Sequence, residues 1–374
     1  MRAAAIATLV GASAGTATRD CATAQSMANE PRLDVAAAFG GAMRPWIVKY
    51  GVQRASIAVM RDNRLVFAAG YGGRRANERM AVWSLSKPIT ALCIATLVKD
   101  KKLRLDDPIG PLLTPVLEKS GRAGNEDIAR ATVAQLLSHR SGLPRDAKGS
   151  DFDVAIRQIL RDWPLRRATA KMLVMAPAMK LALAGPPDTE FRYSNVGYLL
   201  LGQIIQSLTG RPYEVACGER VLAKAGIKDP SLDPEWGQLL QAAGGWSLSG
   251  PEYLGFARLL ASGREGELPP RIRAVLESPY GRPTSNHSIF HGGSWHWHQK
   301  DAVGGPISEE RGTWFRLTSA GVAWFASFDG IHIGIQPRAR IELDAALERA
   351  RQSVSSWPEK DDFPNMSVAP MSRQ

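Results

Sequence analysis

Acidic residues are in short supply in this 374-residue chain: 36 Asp and Glu stand against 47 Lys and Arg, a formal net charge of +11. Such a balance suits anionic partners. The basic residues are scattered, however, in short clusters such as Arg74-Arg75 and Arg166-Arg167. A generally basic surface is expected, and no nucleic-acid partner. Cysteine is scarce too, with three residues, Cys21, Cys93 and Cys217, which excludes a disulfide-dense scaffold. Cys93 and Cys217 lie in helix-like contexts and are expected to be two buried thiols. No apolar run after the N-terminus reaches the ~18 residues that span a membrane. Gly70-Tyr71-Gly72-Gly73 fails the dinucleotide fingerprint because position 75 is Arg, so no nucleotide cofactor is expected. Histidines number six, four of them at His287, His291, His296 and His298. Strand alternation would divide those four between two faces, and no Cys or acid joins them, so no metal is expected.

The chain opens with Arg2, a small and apolar stretch over residues 3–17, and Ala22-Thr23-Ala24 before Gln25. That is the pattern of a secretory signal peptide with an A-x-A site. Residues 1–24 are expected to be removed on export to the periplasm or medium, leaving 25–374 as one domain. Arg19 and Asp20 stand where a lipobox before Cys21 would need small or apolar residues.

Across 33–50, Phe39, Met43, Ile47 and Tyr50 recur at helical spacing. Residues 56–60 and 65–69 read as strands joined across Asp62-Asn63. From about 100 to 240 there is little β signal, and 132–138, 154–163 and 196–208 read as helices. Strand-like runs return at 288–297, 313–318 and 322–328. A closing helix is expected over 341–354, with a loose polar tail beyond Trp357. Strands at both ends around a helical insertion predict an α/β (α+β) fold with one antiparallel sheet completed by both termini.

The chemistry concentrates in three places. Ser84 and Lys87, in Trp83-Ser84-Leu85-Ser86-Lys87-Pro88, share one face at the start of a helix. A serine hydroxyl needs a base, and lysine serves only when neutral, with its pKa lowered from about 10.4 toward 7 or 8. Tyr193-Ser194-Asn195 offers a phenol that can relay a proton and an amide that can fix a carbonyl or the lysine. His291-Gly292-Gly293-Ser294 lies on an expected strand. Its glycines let a substrate approach the edge, and a backbone N–H there can meet an oxyanion.

In this order, Ser-x-x-Lys, Tyr-x-Asn and His-x-Gly resemble the serine β-lactamase-like superfamily: class C β-lactamases, D-alanyl-D-alanine carboxypeptidases and esterases of the same fold. The loop from Leu136 through His139 to Pro144 and the turn Ala243-Gly244-Gly245-Trp246 resemble it as well. The resemblance covers roughly 33–350. It implies Ser84 as acylated nucleophile, Lys87 as base or relay, and Tyr193 as proton exchanger. Asn195, His291, Gly292, Gly293 and Ser294 would bind substrate, with the backbone N–H groups of Ser84 and Ser294 as oxyanion hole.

One departure matters. Relatives acting on β-lactams or D-alanyl peptides have Thr where Gly292 stands, and a neutral His291 is a weaker carboxylate anchor than lysine. A small neutral ester is therefore the expected substrate, with a D-alanyl peptide or β-lactam as the alternative. An α/β-hydrolase is excluded, because the only G-x-S-x-G, at Gly11 to Gly15, falls in the signal segment. A penicillin-binding-like protein without turnover is the non-enzymatic alternative.

Overall fold

The computed structural model describes residues 33–118, 126–262, 268–279, 281, 288–295, 309–332 and 335–363. The expected signal peptide lies outside these residues, as do Cys21, His287, His296 and His298.

β1 (Arg54–Arg61) and β2 (Arg64–Tyr71) form the expected hairpin. Asp62 and Asn63 adopt φ of 48° and 63°, the left-handed pair that a two-residue type I′ turn needs. β3 (Ile289–Trp295), β4 (Glu309–Leu317) and β5 (Val322–His332) return from the far end of the chain. Together they make one antiparallel sheet in the order β2-β1-β5-β4-β3. β1 is buried along nearly its whole length. It is covered on both faces, which is why it reads as a continuous apolar run instead of alternating.

The helices used below are α1 (Val35–Tyr50), α2 (Ser86–Lys99), α3 (Val133–Leu137), α4 (Asp151–Asp162), α5 (Asn195–Thr209), α6 (Tyr213–Cys217), α7 (Gly237–Gly244), α8 (Gly250–Ser262), α9 (Pro270–Glu277) and α10 (Gln336–Ser353). One sheet face packs Ile57, Val59 and Trp324 against Phe39 and Met43 of α1 and Leu343 and Leu347 of α10. The other packs Ala58, Met60 and Phe325 against Tyr253 and Phe256 of α8 and the helical region beyond. That region is longer than expected, since α8 and α9 carry it to Glu277. α2 runs through the larger core and is buried on nearly every side, as an apolar helix without a polar face must be.

Three expectations are corrected. Cys93 of α2 and Cys217 of α6 form a disulfide, with Cα atoms 5.4 Å apart. Their helical settings do not keep them apart, because the two helices pack side by side. The chain beyond Trp357 is not loose as far as Phe363. Leu65 N–H donates to Asp361 Oδ1 at 3.1 Å and Leu65 O accepts from Asp362 N–H at 3.0 Å, covering the free edge of β2. Arg74, taken as part of a surface cluster, is buried and donates to Asp329 at 2.5 Å and Ser327 Oγ at 3.1 Å.

The disulfide joins the nucleophile helix to a helix 124 residues away. Protein spanning 25–374, made under oxidising conditions, should show no free thiol when denatured without reductant. Cys93→Ser should lose about 2–4 kcal/mol of unfolding free energy, measured by denaturant titration. Two titratable thiols per unreduced chain would contradict the bridge.

Candidate active site

Ser84 lies in a short 3₁₀ turn, Trp83–Leu85, that feeds directly into α2. Trp83 holds a φ of 51°, a left-handed conformation that costs a bulky residue about 1–3 kcal/mol. The surroundings impose it. Val82 N–H donates to Trp246 O at 2.9 Å, and Val82 O accepts from Thr313 Oγ1 at 3.1 Å.

Lys87, one turn further on, is 2% exposed. Its Nζ lies 2.7 Å from Asn195 Oδ1, 2.7 Å from Ala243 O and 3.2 Å from Ser84 Oγ. A neutral amine has two N–H groups and one lone pair. The two carbonyl oxygens take the N–H groups, so the lone pair is left to accept the Ser84 hydroxyl proton. Burial brings the Lys87 pKa down from 10.5 to about 7, with the Asp146 carboxylate opposing the shift. Ala243 reaches Lys87 because α7 is kinked at Gln241, where φ is 26° and ψ is −110°. The same kink aims Ala242 O at Thr90 Oγ1, 2.8 Å away on α2.

The Tyr193 ring centroid is 4.9 Å from Lys87 Nζ, so the second motif meets the first as expected. Two residues that sequence reading gave no role support it. His139 stacks on Tyr193 with ring centroids 4.4 Å apart. Its Nδ1 accepts Ser194 N–H at 3.2 Å, and it holds a φ of 57°. Burial first, then the nearness of Lys87 and His291, push its pKa well below the usual range, so the ring is neutral. Asp146 Oδ2 accepts Asn195 N–H at 2.5 Å. His139 sits in a loop whose resemblance to the family was legible in the sequence, although no role for the histidine was. Asp146 carries no such signal, because its partner is 49 residues away.

β3 brings the third motif against the nucleophile turn. A Cβ on Gly293 would lie 2.4 Å from Val82 O, 2.7 Å from Thr313 Oγ1 and 3.0 Å from Ser84 N. Only glycine lets the strand come this close. Gly292 points to the opposite face, where a Cβ would meet the Trp314 ring at 3.1 Å and Arg340 Nη1 at 3.2 Å. The space beside Gly292 therefore borders a guanidinium from α10, which also donates to Gly293 O at 3.1 Å. His291 itself is neutral. Burial and the Lys87 charge lower its pKa to about 3, and its Nδ1–H donates to Gly292 O at 2.7 Å.

Two cavities adjoin these groups. The smaller, about 20 Å³, is lined by Ser84, Asn195, Ala243, Gly244 and Ser294 among others, and has room for one water-sized oxygen. It places Ser84 and Ser294 around a single small site, as an oxyanion hole requires. The larger, about 290 Å³ and mostly apolar, is lined by Lys87, His139, Tyr198 and His291 together with Leu105, Val275 and Phe315. Among the described residues no group of three or more His, Cys, Asp or Glu is placed to hold a metal ion.

The fold is shared with solved proteins. A D-amino acid amidase from Ochrobactrum anthropi SV3 superimposes with a TM-score of 0.62 at 18% identity, covering 86% of this chain and 100% of that one. An octameric penicillin-binding protein homologue from Pyrococcus abyssi gives 0.59 at 19% identity, covering 84% and 78%. Likeness at such identity speaks for the fold alone. In sequence, the D-alanyl-D-alanine-carboxypeptidase/endopeptidase AmpH of Escherichia coli (strain K12) is 25% identical over 192 residues, 49% of this chain and 46% of that protein. Protein flp of Staphylococcus aureus (strain COL) is 28% identical over 180 residues, 45% and 33% of the two. The matched stretch thus spans a third to under half of these curated relatives. The Beta-lactamase family model matches residues 25–331, most of the chain and all three motifs, so this chain belongs to the beta-lactamase family of serine hydrolases.

Proposed function

We propose that the protein is an exported serine hydrolase that forms an acyl-Ser84 intermediate on small neutral esters. One observation carries the reading. A buried amine has both N–H groups held by carbonyl oxygens and lies 3.2 Å from Ser84 Oγ. In the first half-reaction Ser84 Oγ bonds the acyl carbon while Lys87 takes its proton. The developing oxyanion sits between the N–H groups of Ser84 and Ser294. The C–O bond to the leaving alcohol then breaks, and the proton on Lys87, relayed by Tyr193, reaches the departing oxygen. Water repeats the sequence on the acyl-enzyme, with Lys87 again as base.

The ester preference rests on a neutral His291 and the absent hydroxyl at Gly292, since an ester needs neither. Its alkoxide also leaves more readily than an amine. The larger cavity, beside Lys87 and at the low end of ligand-pocket sizes, has a lining that suits a small apolar group. Export is supported by the A-x-A pattern ending at Ala24 and by the Cys93–Cys217 bridge, which suits an oxidising compartment. Arg340 favours a second reading, peptides that end in a D-amino acid, because its guanidinium beside the third motif can draw their terminal carboxylate. The names of AmpH and of the amidase point the same way.

A panel of short aryl esters, D-amino acid amides, a D-alanyl-D-alanine peptide and a chromogenic cephalosporin decides between them, each run with Ser84→Ala. The short esters should give the highest kcat/KM, and Ser84→Ala should abolish it. Faster cleavage of the D-alanyl peptide would install the second reading. No turnover and no acylation by phosphonate esters would leave a binding protein.

Lys87 must be neutral to act, so activity should rise with pH through about 7 and be lost below it as the amine is protonated. Lys87→Arg keeps the charge and cannot deprotonate. It should lose about 10²–10⁴-fold in kcat.

Gly293→Ala should lose on the order of 10²-fold in kcat/KM, because the added methyl must push β3 off the nucleophile turn. An active Gly293→Ala enzyme would show that the strand does not have to press on Ser84.

A further inference from the structure

Asp146 belongs to none of the three motifs, yet it touches the amide that holds the base. Its Oδ2 accepts the backbone N–H of Asn195 at 2.5 Å, and the Asn195 side chain bonds the same carboxylate. Asn195 Oδ1 faces the other way and accepts from Lys87 Nζ at 2.7 Å. One amide thus bridges carboxylate and base. The carboxylate also serves the N-terminus of α5, where the N-cap Ser194 makes no side-chain capping bond. An anionic acceptor there answers an orphan N–H and the helix dipole.

We propose that Asp146 is a positioning residue for the base, fixing the Asn195 amide in the orientation that holds Lys87 and supplying the negative charge that Lys87 meets. The inference rests on the reading of Ser84 and Lys87 as nucleophile and base. An asparagine amide can turn through 180°, and only one orientation offers Lys87 an acceptor. The other would set an NH₂ group against the Nζ donors. In its ionised form the carboxylate accepts and cannot donate, and that form admits only the orientation with the amide NH₂ toward Asp146 and the oxygen toward Lys87.

The charge has a second effect. Burial alone would take Lys87 further down, and the Asp146 carboxylate holds its pKa up. A base works best with its pKa near the working pH. Burial in turn pushes Asp146 up to about 7, so the two groups share one titration. The other groups facing Lys87 are Tyr193, Tyr198, His139 and His291. Both histidines are held neutral by burial. Arg145 and Asp151, the latter on α4, line a small pocket with Asp146.

The test is the pH dependence of Ser84 acylation by a neutral phosphonate ester in wild type, Asp146→Asn and Asp146→Ala. In Asp146→Asn the acid limb should move to lower pH by on the order of one unit, with a modest loss at the plateau. Asp146→Ala should show the same shift with a larger plateau loss, since it also releases the amide. A merely structural role would lower the plateau and leave the limb in place, and a limb superimposable on wild type in Asp146→Asn overturns the inference. Thermal melts establish that each variant is folded, and if Asp146→Ala does not fold, Asp146→Asn decides. Labelling that is absent in wild type, or that survives Ser84→Ala, overturns the reading of the site itself. An unshifted limb in a labelled Asp146→Asn protein overturns this inference alone.

Discussion

The removal of one amine from water governs the arrangement of this protein. Lys87 is 2% exposed, in the first turn of a helix buried on nearly every side. An ammonium ion in such a place costs far more than an amine, so the fold selects the protonation state that chemistry needs. It can do so only because the surrounding core is large. Sheet, α5, α7 and α8 all contribute to the apolar body that encloses α2. A smaller domain could carry the same Ser-x-x-Lys spacing and leave the lysine hydrated, charged and inert.

Around that amine the backbone is strained in three separate segments. Trp83, His139 and Gln241 all hold positive φ without being glycine. Each does a distinct job: Trp83 turns the chain at the nucleophile, His139 supports the Tyr193 ring, and Gln241 aims two carbonyl oxygens at α2. Conformations this unfavourable persist where packing over-determines them. Here the enclosing contacts are long-range, from Thr313 to Val82, Ser194 to His139, and Trp246 N–H to Ser86 Oγ at 3.0 Å. Strain in the site is thus stabilised by pairings between remote parts of the chain.

That division explains what could be read in the sequence. Helical spacing placed α1, α5 and α10, and runs of apolar, aromatic and β-branched residues placed the five sheet strands, because each is a local property of the sequence. Ser84, Lys87, Tyr193 and Asn195 were recognisable from residue type and order, and the structure brings them together. Pairings between distant segments left no local trace. Cys93 and Cys217 each looked like a lone buried thiol, since helical context says nothing about which helix lies alongside. The tail after Trp357 looked loose because its hydrogen bonds are to the edge of β2. Asp146 and Arg340 carry no signal in the sequence, because only the folding back of the loop after α3 and of the closing helix brings them to the site.

Gly292 and Arg340 show how a substitution in a motif and a remote residue form one unit. A side chain at 292 would have to share its volume with the Trp314 ring and the Arg340 guanidinium, both within about 3.2 Å of its Cβ. A threonine hydroxyl and this guanidinium therefore compete for one place, and the chain has taken the guanidinium. The exchange replaces a neutral donor by a permanent cation, while burial strips His291 of its charge. The positive charge beside the third motif has thus moved from the strand to α10. There the guanidinium is already engaged with Gly293 O and lies 5.8 Å from the Phe328 ring centroid. A cation held in this way fixes the strand that carries the oxyanion donor. Its grip on a substrate anion is correspondingly reduced, because the donor spent on Gly293 is no longer available to a ligand.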